Sequence, residues 1–326
     1  MLVWYDACTG KHVRYGVAIA EKLRAAGHEV ILTTRKHPDT VPLASFLGEK
    51  FIVVGRYNPK SLLSRLREGV RRQLLFCKIF GKAVPDVVVS HCSVDQIRVA
   101  FGLGIPIIAT VDTPYAEAVN RLTLPLSDYI VASKAIPEKM LQVYNVNGKI
   151  IHFDGVDEVA WIKGFKPQVK YEFGSPLIVV REVEEKAAYA KGKLSSINLA
   201  KKLTSLGKVV FLPRYDRKTI KGLIIPKGFV DSASLVAQAD LFVGVGGTIT
   251  REAALQGTPA IIINFFQEQH VNDYLADKGF PIFRTEVASV FELAKKLLGN
   301  KKDVRDLLDK LENPVDVISK TLEKLS

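Results

Sequence analysis

Apolar runs of four to seven residues recur along the first half of the chain. They cover 2–6, 28–33, 51–55, 85–90, 105–111, 129–132 and 149–153. Between them lie longer segments whose apolar positions repeat with helical spacing: Val13 to Ala26, Thr40 to Leu47, Lys60 to Gly81, Val94 to Leu103, Tyr115 to Leu124 and a segment after Pro137. Several runs are apolar enough to be buried on both faces, as strands of a parallel sheet are. Strands that alternate with helices predict a doubly wound α/β domain. Residues 155–175 show no clear period and carry Gly164, Pro167 and Gly174, with Pro176 just beyond, which predicts an interdomain stretch. The alternation then resumes. A strand is expected from Leu177, a helix over 187–206, and strands over 209–213 and 222–225. A strand–turn–helix–strand unit follows over 240–264, then helices over 271–278 and 286–298. A last helical pair, 303–311 and 315–325, is broken at Asn313-Pro314. Two domains, 1–165 and 166–326, suit a chain of 326 residues.

Composition narrows the class. No run of eighteen apolar residues predicts a membrane-spanning helix. The chain enters its first strand without a basic-then-apolar leader, so no signal peptide is visible. Cys8, Cys77 and Cys92 are too scattered for a disulfide frame or a zinc site. A cytoplasmic location is the expectation. The net charge is +12, and residues 60–82 hold seven basic residues (Lys60, Arg65, Arg67, Arg71, Arg72, Lys78 and Lys82) against the single acid Glu68. At about 100° per residue, Leu62, Leu63, Leu66, Val70 and Leu74 fall within one third of the helix, with Arg65, Arg67, Arg71, Arg72 and Lys78 on the other side. Leu75 and Ile79 interrupt the polar side. One reading is an ordinary helix packed on the sheet through its leucines, with its basic face in water. The other is contact with an anionic membrane surface, peripheral to the bilayer.

The most informative stretch is Asp240-Leu-Phe-Val-Gly-Val-Gly246-Gly247-Thr248-Ile-Thr250-Arg251-Glu252. Paired glycines at the end of a strand let the backbone turn sharply and approach a ligand. The helix that follows presents free N–H groups and the positive end of its dipole, a setting for phosphate. Asp231 and Ser234 precede this unit, and Gln267, Gln269, His270 and Asn272 follow it. Residues 228–272 resemble the donor-nucleotide half of GT-B glycosyltransferases, most of all the lipid-linked N-acetylglucosaminyltransferases. They are also similar to the UDP-N-acetylglucosamine 2-epimerases of the same fold. The chain as a whole is similar to an archaeal and bacterial GT-B-like family known only as a domain of unknown function.

The resemblance implies two Rossmann-like domains facing across a cleft, acceptor domain first and donor domain second, with the last helix crossing back to the first. It implies a UDP-sugar donor, with UDP-N-acetylglucosamine first in line. The N–H groups of Gly246, Gly247 and Thr248 would take the diphosphate and Glu252 a ribose hydroxyl. Gln267, Gln269 and Asn272 would contact sugar or phosphate. Arg251 would pair with a phosphate or lie solvated. Arg181 and Arg214, at strand ends facing the same crevice, are candidate phosphate or uracil contacts. In the first domain, loops at the carboxyl ends of strands carry Cys8-Thr9-Gly10-Lys11-His12, Ser90-His91-Cys92-Ser93 and Asp112-Thr113-Pro114-Tyr115-Ala116-Glu117. Inverting sugar transfer needs a base for the attacking hydroxyl. His12 is the first candidate, since imidazole titrates near neutrality, and His91 the second. Asp112 or Glu117 would orient the histidine or act as the base itself. Glu117 also stands four residues before Arg121, the spacing of an ordinary surface ion pair.

No Asp-x-Asp pair and no cluster with ligand spacing is present, so no tightly bound metal or cofactor is expected. The partners expected are a nucleotide sugar, a lipid-linked or small acceptor, and no nucleic acid. Epimerisation of a UDP-sugar and binding without catalysis are the alternative functions. A dinucleotide oxidoreductase is disfavoured, because the first strand lacks Gly-x-Gly-x-x-Gly and the second ends in Thr33-Thr34-Arg35 with no ribose-binding acid.

Overall fold

The computed structural model describes residues 1–81, 83–183, 196–214, 218–264 and 268–325. The chain divides into two compact units: Met1–Trp161 with Leu311–Ser326, and Ile162–Lys310. Unit 1 holds seven strands: β1 (Leu2–Ala7), β2 (Glu29–Lys36), β3 (Ile52–Arg56), β4 (Val87–Ser90), β5 (Ile107–Val111), β6 (Tyr129–Ser133) and β7 (Lys149–Phe153). They pair in parallel in the order β3-β2-β1-β4-β5-β6-β7. The helices that matter most for the site are α1 (Gly10–Ala25), α2 (Val41–Phe46), α3 (Leu62–Phe80), α4 (Val94–Gly102) and α5 (Glu117–Thr123). The last helix, Pro314–Leu322, packs on α1 and adds Val315, Ile318 and Leu322 to the core built on Val3, Tyr5, Val89 and Ile108.

Unit 2 has a five-stranded parallel sheet of β8 (Leu177–Arg181), β9 (Lys208–Leu212), β10 (Leu241–Gly244), β11 (Ala260–Ile263) and β12 (Ile282–Thr285), ordered β12-β11-β10-β8-β9. Apolar cores cover both of its faces. The doubly wound α/β expectation holds in each unit. Two local expectations change. Residues 222–225 make only a single bridge, Val210 with Ile224, rather than a strand. β12 was not anticipated, since four residues behind Gly279 and Pro281 are too short a run to declare a period. The expected helix over 187–206 is described only from Ser196 to Leu203.

Each sheet reverses its winding once. In unit 1 the reversal falls between β1 and β4, and in unit 2 between β10 and β8. Ligands of open α/β sheets bind outside the carboxyl ends of the strands at such points. The loops after β1, β4, β8 and β10 therefore carry the candidate residues.

The packing of α3 reverses the leucine-inward reading. Its buried residues are Glu68, Arg72, Phe76 and Phe80, spaced four apart on one face. Phe76 and Phe80 close on Trp4, with ring centroids 4.7 and 4.4 Å away. Arg72 reaches Asp6 at the end of β1 with two hydrogen bonds from Nη2, of 2.8 and 2.9 Å. It also donates from Nη1 to Asp95 at 2.7 Å and from Nε to the Val54 carbonyl at 2.9 Å. Asp6 accepts further bonds from Thr33 Oγ1 at 2.8 Å and Ser93 Oγ at 2.6 Å. Gly55 makes room for the arginine: it sits at φ +69°, and a Cβ there would lie 2.5 Å from Arg72 Cγ.

Arg72→Met should destabilise the protein by about 3–5 kcal/mol, because it strands a wholly buried Asp6 without its cation. Arg72→Lys should not restore stability, since one ammonium cannot replace three directed guanidinium nitrogens. Urea unfolding of both variants measures this.

Candidate functional site

Thr9 caps α1 through its side chain, which accepts from the His12 N–H at 3.4 Å, and so sets Lys11 and His12 in the helix's first turn. His12 turns back to β1, where its Nδ1 accepts from the Cys8 N–H at 3.4 Å. Its ring meets the ring of His91 edge to face, centroids 4.7 Å apart. Burial, then the neighbouring His91 and Lys11, hold the His12 imidazolium well below the usual histidine range, so His12 is neutral at pH 7. His91 follows β4. Its Nδ1 hydrogen-bonds Thr110 Oγ1 at 2.6 Å, leaving Nε2 3.5 Å from Asp112 and 3.8 Å from Asp157. The next residue, Cys92, takes the left-handed φ of +49° that turns the chain from β4 toward α4. Burial pushes its thiol up to about 12, so it stays protonated and is no nucleophile.

Lys11 completes this constellation. Its ammonium pairs with Asp112, lies 2.8 Å from Asp157 and 3.7 Å from Glu158. Lys11, Asp157 and Glu158 were missed as candidates. Asp157 and Glu158 lie beyond the end of β7, and the strand-end rule applied to β7 would have found them. His91, Asp112 and Asp157 bring ligand atoms within 4.8 Å of one another, a set that can receive a divalent cation. Lys11 is already paired with both of these carboxylates, so a metal would compete with it. Of the four catalytic candidates, His12, His91 and Asp112 come together and all line one cavity of about 520 Å³. Arg35, Arg56 and Arg65 line the same cavity. Glu117 stands apart from it, two thirds exposed and paired with Arg121 at 2.8 Å.

In unit 2, β10 runs into Val245, Gly246 and Gly247, and Gly247 opens the Thr248–Leu255 helix without any side-chain cap. Gly246 sits at φ +92°, and a Cβ on it would lie 1.8 Å from Gln269 Oε1, so only glycine fits. Its carbonyl accepts from Asn272 Nδ2 at 2.8 Å and Arg251 Nη1 at 3.2 Å, and Gln269 Nε2 donates to Val245 O at 3.3 Å. Carbonyl and N–H point opposite ways across a trans peptide. Anchoring the Gly246 carbonyl therefore aims the Gly247 N–H away from those side chains; Gly247 itself is exposed, and a Cβ on it would meet nothing within 4 Å. Arg251, Gln269 and Asn272 thus hold the turn itself. Glu252 is wholly buried and accepts from Ser232 Oγ at 2.7 Å. Arg181 Nη1 donates to the Pro213 carbonyl at 3.1 Å, and Arg214 Nε to the Glu182 carbonyl at 3.0 Å, tying the ends of β8 and β9. Gln267 lies outside the described residues.

The neutral His12 carries a pH signature. The unfolded chain protonates it near 6.5 and the folded one only at lower pH, so its contribution to stability is present above that range and is lost as pH falls through it. Between pH 7 and 5, wild type should lose stability faster than His12→Gln, by at most about 1.4 kcal/mol per pH unit. Urea titrations at fixed pH values check this.

Solved structures with the same architecture cover nearly the whole chain. A protein from Listeria monocytogenes assigned as a UDP-N-acetylglucosamine 2-epimerase matches at TM-score 0.71 and 12% identity, over 99% of this chain and 95% of the other. The glycosyltransferase of kitacinnamycin matches at TM-score 0.62 and 14% identity, over 100% and 99%. A spinosyn rhamnosyltransferase, solved with thymidine diphosphate, matches at TM-score 0.60 and 14% identity, over 99% of each chain. At these identities the likeness is one of fold, and the fold is of the GT-B type. In sequence, an uncharacterized protein of Methanocaldococcus jannaschii is 30% identical over 336 residues, covering 97% of this chain and 96% of the relative. The family described as protein of unknown function (DUF354) matches residues 1–325, and the chain belongs to that family.

Proposed function

We propose that this protein is a nucleotide-sugar-dependent glycosyltransferase. The observation that carries the reading is the turn at Gly246-Gly247 at a switch point, whose carbonyls are clamped by three side chains while Gly247, with its N–H turned the other way, is exposed. That arrangement suits the diphosphate of a nucleotide sugar. Gly246, Gly247 and Thr248 supply the cradle, and Arg251, Gln269 and Asn272 keep it in shape. Glu252, which accepts from the Ser232 hydroxyl, is the residue proposed for a ribose hydroxyl. Arg181 and Arg214 stiffen the neighbouring strand ends. UDP-N-acetylglucosamine is the first donor to test, with a thymidine diphosphate sugar beside it, since a neighbour in fold was solved with that diphosphate.

The acceptor belongs to the unit 1 cavity. His12 is the proposed base for its hydroxyl: Nδ1, which accepts only a long 3.4 Å bond from the Cys8 N–H, exchanges that contact for the acceptor's proton, and His91 packs against the His12 ring. Asp112, held by Lys11, lies beside His91. Arg35, Arg56 and Arg65 favour an acceptor that carries phosphate, as a lipid-linked sugar does. The reaction is written as inverting, with departing charge met by the N–H groups of the turn rather than by a required metal. A second reading, epimerisation of the same donor, draws on the buried group of Asp112, Asp157 and Glu158 around Lys11, a supply of acids and a base for proton transfer at a sugar carbon. Turnover of UDP-N-acetylglucosamine without any acceptor would decide for it.

Calorimetric titration with UDP, UDP-N-acetylglucosamine, UDP-glucose, thymidine diphosphate and NADPH tests the donor site. Gly247→Val is the decisive variant. Its φ of −82° suits an L residue and its Cβ meets open space, so the fold and melting temperature should hold. The valine would fill the phosphate space, and nucleotide affinity should fall at least tenfold. Equal binding by wild type and Gly247→Val, or no nucleotide binding at all, would overturn the reading. Once a substrate pair is found, kcat/KM should stay level from pH 8 down to pH 6.5 and decline only at lower pH, following the lowered His12.

A further inference from the structure

We propose that α3 seats this protein on the surface of an anionic lipid bilayer. The outward face of α3 is apolar: Leu62, Leu63, Leu66, Val70 and Leu74 are 82, 55, 64, 57 and 57% exposed. Five large apolar side chains along one helix face, left in water, cost about 25 cal/mol for each Å² of apolar surface that could be covered. They stay outside because the inner face is taken by Glu68, Arg72, Phe76 and Phe80.

Charge identifies the occupant. At about 100° per residue, Arg67, Arg71 and Lys78 form a row along one flank of the stripe, and all three are exposed. The only acid on the helix, Glu68, is turned inward and bonded to Arg56 at 2.8 Å. An apolar stripe bordered by cations is the surface that lies in the headgroup region of an anionic membrane, with its apolar face about 5–10 Å deep. A second copy of this chain is a poorer occupant, since an antiparallel twofold contact would set the two rows of Arg67, Arg71 and Lys78 against each other, and a parallel one would leave both rows without a counter-charge on α3, whose one acid is turned inward. Among the described residues no helix is long and apolar enough to cross a membrane, so the contact is interfacial.

The other flank of α3 faces the unit 1 cavity. Leu66 and Val70 belong both to the stripe and to the cavity lining, together with Gly69 and Gln73. A bilayer under α3 would thus run up to the cavity's rim, where Arg65 stands. A phosphate-bearing acceptor anchored in that bilayer could reach His12 without leaving the membrane. This last step rests on the transferase reading, but the docking itself does not.

The test is flotation of the full chain with phosphatidylcholine vesicles containing 0 or about 30% phosphatidylglycerol, without nucleotide, at low and high salt. Binding is expected to the anionic vesicles only, and to weaken with salt. Neutralising two of the row, Arg67→Gln with Arg71→Gln, should weaken it about thirtyfold. Leu63→Ser with Leu74→Ser should abolish it while the melting temperature holds, since both leucines are exposed and outside the cavity. A polarity-sensitive dye on the exposed thiol of Cys77 should shift to the blue on vesicles. No binding to anionic vesicles at low salt, or binding that survives both double variants, overturns the proposal. A dimer in solution that Leu63→Ser with Leu74→Ser breaks would make the occupant a second copy and overturn it equally. Because no nucleotide is present, these outcomes are independent of the donor titration.

Discussion

Unit 1 is organised around one buried charge. Asp6, at the end of β1, is removed from water and must be paired and saturated to be tolerable. Arg72 from α3, Thr33 from β2 and Ser93 at the start of α4 all converge on it, while Arg72 also ties Val54 of β3 and Asp95 of α4. Those bonds set α3, α4, β2 and β3 against the strand whose next residues are Cys8, Thr9, Lys11 and His12. The position of the candidate base therefore depends on an ion pair that takes no part in the chemistry proposed for it.

The two switch points are prepared in different ways. In unit 1 the preparation is ionic: one ammonium, Lys11, holds Asp112 and Asp157 with Glu158 close by, and His91 is fixed between Thr110 and those carboxylates. Desolvation keeps His12 neutral above this group. In unit 2 the preparation is dipolar. Side-chain donors hold the carbonyls of Val245 and Gly246, and the peptide's own geometry then turns the Gly247 N–H outward. Under the proposed function the first group offers a base and the second an anion cradle.

Much of this was legible in the chain. The strand runs stand where apolar segments end in polar loops, and the strand-end rule selected His12, His91 and Asp112, which the fold brings together. Asp157 and Glu158 escaped because they follow β7 in a stretch with no period, which read as a linker. Lys11 escaped because a lysine beside a histidine in a helix's first turn has no sequence signal for three carboxylates, two of them 146 and 147 residues away. Gln269 and Asn272 were picked out as ligand contacts, yet their amides are engaged by the turn itself. Residue type at a given spacing does not say which way an amide points.

The chain by itself determined the α/β alternation, the two-unit count, the glycine turn after β10 and the amphipathic character of α3, because each rests on local periodicity or on the steric freedom of glycine. Only the tertiary structure decided which face of α3 goes inward. A helical wheel ranks faces by hydrophobicity and sends the leucines to the core. The buried Asp6 demands a cation and Trp4 offers a ring surface, and Arg72, Phe76 and Phe80 answer both from the opposite face. The leucines are left outside because pairing a buried charge constrains the packing more than covering one apolar stripe does.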